Sequence, residues 1–184
     1  MTDLDWKPEL LGVEGRVLPV VTAPATVLSG VGTEVDPADP AIVQLAADLV
    51  ATMRVSPGCV GLAAPQIGVS AKAFCVDVTD HPKTRSCHGL IVLINAEVVA
   101  SSRNEKSREG CMSVPDLTGD VKRGNRVTVR GHLPVTGAIV EIVTDAYEAR
   151  ALQHEIDHCA GLLFLDRVAG AHAVFPRKVY QDPR

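Results

Sequence analysis

Between Asp36 and Met53 the segment DPADPAIVQLAADLVATM repeats apolar residues at helical spacing, with Ile42, Leu45, Leu49 and Met53 on one side. Pro40 suits a first turn and Ser56, Pro57 and Gly58 end the pattern, so an amphipathic helix is expected from Asp39 to Met53. The period then changes. AKAFCVDV, GLIVLINAEVVA, RVTVRG and GAIVEIVT are short, rich in β-branched residues, partly alternating, and separated by Gly, Pro, Asn and Asp, which predicts strands of an antiparallel or mixed sheet. Helical character returns in DAYEARALQHEIDHCAG. Here Asp145 is the expected N-cap, Glu148 completes a capping box three residues on, and Gly161 is the C′ residue. The pattern predicts an α+β fold: short antiparallel or mixed strands around a central helix that carries two histidines, with a second helix nearer the N-terminus.

Composition narrows the picture. At 184 residues, 46% of them hydrophobic, the chain suits one domain with a sizeable core, and no repeat or linker divides it. A single domain over 1–184 is expected, with 1–15 and 170–184 peripheral. The net charge of −4 and the scattered Lys and Arg form no basic stripe, which argues against autonomous binding to DNA or to an anionic membrane. The opening MTDLDWKPELLGVEG is acidic, and no segment offers the roughly 18 apolar residues of a membrane span. A soluble, cytoplasmic monomer is expected. Five cysteines, Cys59, Cys75, Cys87, Cys111 and Cys159, lack CxxC spacing, which points to reduced thiols rather than a disulfide framework or a cysteine-only zinc module.

The helix carries the strongest chemistry. His154 and His158 are four residues apart, about 40° around the axis and one turn along it, so two imidazoles face one side and can share a cation. Glu155, beside the first of them, is placed to take a proton from a water and pass it to a leaving nitrogen. A catalytic site of this type needs a third ligand. Cys159 turns about 120° away from the histidine pair and reads as packed core. Cys111, in a strand or turn after Gly110, and Asp166 are the other candidates. His81, His88, His132 and His172 have no comparable partner spacing.

The segment CVGLAAPQIGV, from Cys59 to Val69, combines small residues with one amide, Gln66. It suits either tight packing between helix and strand or close approach by a ligand, with the Gln66 NH₂ on a developing oxyanion.

Taken together, CVGLAAPQ, EGCMS and QHEIDH resemble, in order and approximate spacing, the three signature motifs of peptide deformylases, over about Arg16 to Val168. The resemblance implies removal of the formyl group from the formyl-methionine of newly made polypeptides, with one divalent metal ion, Fe²⁺ natively. Zn²⁺, Ni²⁺ or Co²⁺ also suits a thiolate with two imidazoles. It implies Cys111, His154 and His158 as metal ligands, Glu155 as general base and then acid, and Gln66 with the backbone N–H of Met112 as oxyanion donors. Substrate contacts are implied for Val60, Gly61, Glu109, Gly110, Tyr147, Arg150 and Ala151, with Arg123 and Asp157 supporting the ligands from behind. A Glu109–Arg123 pair is expected to be exposed and to orient rather than stabilise.

Two departures accompany the resemblance. Cys59 stands where the first motif usually begins with glycine, and the tail AGAHAVFPRKVYQDPR lacks the basic helix by which some relatives dock on the ribosome, leaving only a transient ribosome contact to be expected. Competing readings are a zinc metallopeptidase, for which H-E-x-x-H is also expected, and a non-catalytic metal- or peptide-binding module.

Overall fold

The computed structural model describes residues 13–178. Helix α1 spans Pro40–Val55, with Asp39 accepting from the Ala41 N–H at 2.8 Å and Pro40 in the first turn. This agrees with the expected start and runs two residues past the expected end. The preceding chain is fastened along it. The Arg16 N–H and guanidinium reach the buried Asp48 carboxylate at 2.7 and 2.6 Å, and the Leu18 N–H donates to Thr52 at 3.0 Å.

Strands β1 (Gly61–Ala63), β2 (Ala73–Val76) and β3 (Ile91–Ser101) follow, then β4 (Asn104–Cys111), β5 (Val114–Gly124), β6 (Arg126–His132) and β7 (Ile139–Asp145). After them come helix α2 (Ala146–Cys159) and a short strand β8 (Val174–Pro176). They form a five-stranded sheet in the order β1-β2-β3-β6-β7 and a three-stranded sheet in the order β4-β5-β8. All pairings between these strands are antiparallel.

The larger sheet lies between the helices. Leu62, Ala73, Cys75, Val92 and Ile94 pack with α1, while their alternate neighbours Ala63, Phe74, Val76, Ile91 and Leu93 pack with Leu152 of α2. Burial on both faces explains why β2 reads as an unbroken apolar run rather than an alternation. A third, smaller cluster of Val114, Val121 and Phe164 lies under the second sheet. The expected α+β architecture with α2 at its centre is the observed one.

Two expectations are corrected. Asp145 occupies the N-cap position of α2 as expected, but its side chain makes no cap: its carboxylate accepts from the Ser86 N–H at 3.2 Å, and Glu148 forms no capping box but turns to the Thr144 hydroxyl at 2.6 Å and to His88. Distant partners have outcompeted the local cap. At the other end Gly161 is the C′ residue as expected. Its φ of +75° is left-handed, and a Cβ there would meet the Gly30 backbone at 2.9 Å, so glycine is required twice over. The boundary of the peripheral segments also moves. A Cβ on Gly15 would collide with the Ala47 carbonyl of α1, and β8 is hydrogen-bonded into the second sheet, so neither 13–15 nor 170–178 is peripheral. The remainder of both segments lies outside the described residues.

Candidate active site

Cys111 ends β4 at a break in register. Gly110 is opposite Thr118, but Cys111 is opposite Val114, so Pro115, Asp116 and Leu117 have no β4 counterpart. Such a bulge bends the ribbon and re-aims a side chain. Here it carries the Cys111 sulfur to α2, 3.3 Å from Nε2 of His158. The ligand atoms of Cys111, His154 and His158 all lie within 4.8 Å of one another. Of the three proposed sources of a third donor, then, Cys111 is the one brought to the histidines. Cys159 is buried with its thiol toward the Ala73 carbonyl, and Asp166 accepts from the Leu163 N–H.

The donors are oriented from behind. Nδ1 of His154 faces Oε2 of Glu109 at 3.0 Å, which leaves Nε2 for the cluster. Glu109 also receives Arg123 at 2.7 Å and Arg150 at 2.6 Å, and Arg123 continues to Asp157 at 2.6 Å. Arg167 closes the far side of Asp157 at 2.6 Å. The Glu109–Arg123 pair, expected to be exposed, is instead buried: the residues are 7% and 5% accessible. It is held under β4 and β5 by Asp157 of α2, a long-range contact that no local pattern announces.

The electrostatics suit a cation. Burial pushes His154 down, but hydrogen bonding with the Cys111 sulfur and the Glu109 carboxylate overcomes it and holds the imidazole up at about 10. Burial and the neighbouring His154 push His158 well below its ordinary value. One thiol and two imidazoles with a side open to the cleft form a donor set that fits a catalytic divalent ion.

Glu155 lies beside this set. Burial raises its carboxyl to about 7, against the pull of His154 and Arg123, and its Oε2 is buried without a hydrogen-bond partner. It reaches β1 because residue 61 is glycine: a Cβ there would stand 2.5 Å from Oε1 of Glu155. Gln66, 2% accessible in the 3₁₀ turn Ala64–Ile67, accepts from the Ala63 N–H at 2.9 Å. That contact turns its NH₂ toward Cys111, at 3.5 Å, and the Ser113 hydroxyl, at 3.3 Å.

Cys111, His154, Glu155, Gln66 and Glu109 open on a cleft of about 850 Å³. Every residue for which a substrate contact is expected lines it, as does Met112. The Arg150 guanidinium is engaged elsewhere, with Glu109 and the carbonyls of Val121 and Glu105 at 3.2 and 2.8 Å. Cys59 also lines the cleft, its thiol donating to the Gly61 carbonyl at 3.1 Å, and burial pushes it up to about 12. A neutral thiol turned onto the backbone leaves the room that a glycine would leave only in part.

Residues 17–173 match the family described as Polypeptide deformylase. The chain belongs to that family. It is 44% identical over 163 residues to a peptide deformylase of Desulforudis audaxviator, covering 88% of this chain and 98% of the relative. It is 42% identical over 151 residues to one of Carboxydothermus hydrogenoformans, covering 82% and 93%. Among solved structures, the peptide deformylase of Ehrlichia chaffeensis superposes with a TM-score of 0.77 at 34% identity, covering 84% of this chain and 89% of that one. A class I type b peptide deformylase of Acinetobacter baumannii gives 0.75 at 34% identity, covering 84% and 100%.

Deformylase membership makes the chain a metal-dependent hydrolase that removes the formyl group from the N-formyl-methionine of nascent polypeptides. No helix among the described residues is long and apolar enough to cross a membrane. Several groups around the deformylase cleft escape sequence reasoning. Ser113, fully buried, receives Gln66 and was visible only as the last letter of EGCMS. His81 stacks on Tyr147 with ring centroids 3.8 Å apart, and Arg177 donates to the Cys111 carbonyl at 3.0 Å. Neither had a spacing signal, because both approach from segments remote from the three motifs.

Proposed function

We propose that Cys111, His154 and His158 hold the divalent ion of this deformylase and that Glu155 is its proton carrier. When bound, the ion, Fe²⁺ in this reading although Zn²⁺, Ni²⁺ or Co²⁺ suits the same donors, supplies Lewis acidity that lowers the pKa of a water and polarises the formyl oxygen. Glu155 accepts a proton from the attacking water and delivers it to the departing amine nitrogen. A carboxyl poised near neutrality does both, since it is neither too weak a base nor too weak an acid. The Gln66 NH₂ and the Met112 N–H donate to the oxyanion as the carbonyl opens. Formate and a free N-terminus leave.

The exposed edge of β1 at Gly61 and that of β4 at Gly110 receive the peptide backbone, with Val60, Tyr147 and Ala151 forming the wall beside the methionine. Glu109, Arg123 and Asp157 act through His154 by fixing its orientation. One chain supplies every residue of the cleft, so this reading requires no second copy: a monomer acting in the cytoplasm, in transient contact with the ribosome from which its substrate emerges.

The observation that carries the reading is the meeting of Cys111 with two helix imidazoles beside an unpartnered Glu155 carboxylate. It is tested by measuring formate from a formyl-Met peptide with protein loaded with Fe²⁺ in the absence of oxygen, using the acetyl-Met peptide as control. Release from the formyl peptide alone is expected. Full metal occupancy without formate overturns the assignment, and cleavage of internal peptide bonds turns it toward a metallopeptidase.

A further inference from the structure

The outer wall of the cleft carries positive charge that formyl removal does not use. Lys83, Arg108 on β4, and Arg177 and Lys178 just beyond β8 all line it. In a chain of net charge −4 this is a local reversal of sign. The cleft's two carboxylates do not neutralise it, because Glu109 is engaged by Arg123, Arg150 and His154 and Glu155 is buried at the floor. Arg108 meets Asp120 at 2.7 Å. Lys83, Arg177 and Lys178 have no carboxylate partner among the described residues.

Three of these four cations stand on anchored backbone or are held by their side chains. The segment 79–89, which bears Lys83, is attached to the end of β7 by the Ser86 N–H on Asp145 at 3.2 Å, and to α2 by the His81–Tyr147 stack and by His88, whose N–H and Nδ1 reach the buried Glu148 at 2.8 and 2.7 Å. Arg108 lies over the Phe175 ring, 3.7 Å from its centroid. Arg177 is held by the Cys111 carbonyl, while its Nε is buried with no partner. Held in place, the Arg108 and Arg177 guanidinium groups lose little further freedom on meeting an anion.

The cleft is larger than a formyl-methionine, and an extended peptide advances about 3.3 Å per residue. With the formyl group at the Cys111 end, the following residues lie against the remaining wall. We infer that Lys83, Arg108, Arg177 and Lys178 make this deformylase select formyl-methionyl peptides with an acidic side chain at the second or third residue. The inference rests on the deformylase reading of the cleft. A single exposed ion pair contributes little, but several like charges converging on one concave wall focus the field on whatever enters.

The test compares kcat/KM for formyl-Met peptides bearing Glu, Ser or Lys at the third residue, and again at the second. All are C-terminal amides, and a free-acid Ser peptide separates the effect of a side-chain carboxylate from that of the terminus. At low ionic strength the Glu peptide is expected to exceed the Lys peptide by about tenfold, mainly through KM, with the ratio falling toward about twofold at 0.5 M salt. Lys83→Gln and Arg177→Gln should each lower the ratio, and Arg177→Lys should retain it. Lys83 is exposed, so its variant keeps the test open if Arg177→Gln does not fold. Equal kcat/KM for Glu and Lys peptides, with formate still released from the Ser amide, overturns the inference and leaves the deformylase reading standing. A preference seen only for the free-acid peptide also overturns it, by assigning the rim to a terminus. No formate from any peptide brings down both.

Discussion

The position a Cβ would occupy on Gly61 is 2.5 Å from Oε1 of Glu155, so β1 and the carboxylate proposed as proton carrier occupy adjoining space with none left between them. Gly61→Ala is therefore expected to push Glu155 aside rather than to alter the metal donors. A displacement of about 1 Å costs about 100-fold in rate, so kcat should fall by about that factor with metal content unchanged. Elemental analysis alongside steady-state kinetics checks this, and an unaltered kcat would show that Glu155 yields without consequence.

Removing the carboxylate itself isolates its role. Glu155→Ala should retain the ion and lose about 10²- to 10⁴-fold in kcat, the range that general acid–base catalysis supplies. Turnover near that of the parent protein would take Glu155 out of the mechanism.

The buried charges behind His154 stand or fall together. Arg123 is the only cation that bridges Glu109 to Asp157 among the described residues, and Arg123→Leu leaves two buried carboxylates short of a partner. A loss of about 3–5 kcal/mol is expected in urea unfolding of the metal-free protein, as when one member of a buried pair is removed. Glu109→Gln should also weaken metal binding by about 10- to 100-fold, because His154 loses the carboxylate that orients it. Metal competition with a chelator measures the second effect, urea the first.

Acid sensitivity has a source far from the cleft. Burial pushes the Asp48 carboxyl up, but the Arg16 guanidinium and N–H, with the Gln44 amide, overcome it and hold the carboxyl below its ordinary value. A carboxyl depressed in the folded state contributes stability that is present in full above its unfolded value of about 4 and is lost as pH falls through the folded one. Asp48→Asn should lower stability by about 1–2 kcal/mol at pH 6, and the gap should narrow below about pH 4. Parallel unfolding curves for the two proteins between pH 6 and pH 3 decide it; a constant gap would exclude Asp48 as a source of acid lability.

With iron bound, exposure to air should inactivate the enzyme as the metal or the Cys111 sulfur is oxidised, and nickel substitution should slow the loss. Activity half-lives in air check this, and equal values would sink it.

Much of this arrangement was legible beforehand, for identifiable reasons. Strands β3, β6 and β7 announce themselves by their β-branched residues, β2 by its unbroken apolar run, and α2 because its apolar and polar positions keep a helical period. The β4–β5 hairpin was read only at its Cys111 end. NEKSREGC is almost entirely exposed and charged until Glu109, so no apolar face reveals the strand, which forms through its backbone pairing with β5. Likewise VFP is too short to show a period, and it becomes β8 only because β5 offers an edge. The burial of Glu109 and the diversion of Asp145 to Ser86 depend on contacts between residues 14 to 59 apart, which a local pattern does not encode.

The donors of the centre come from two separate bodies, the bulged end of the hairpin and the middle of α2. An ion held by all three is thus a cross-link, fastening the smaller sheet to the helix that serves the larger one. Ligation and folding are then a single equilibrium at this seam, and chelation should speed amide exchange in β4 and β5 while β2 and the Ile91–Ile94 half of β3, buried between two helices, keep their protection. Loading with metal therefore finishes the architecture as well as the chemistry: a chain lacking its ion is also one whose hairpin opens first to proteases.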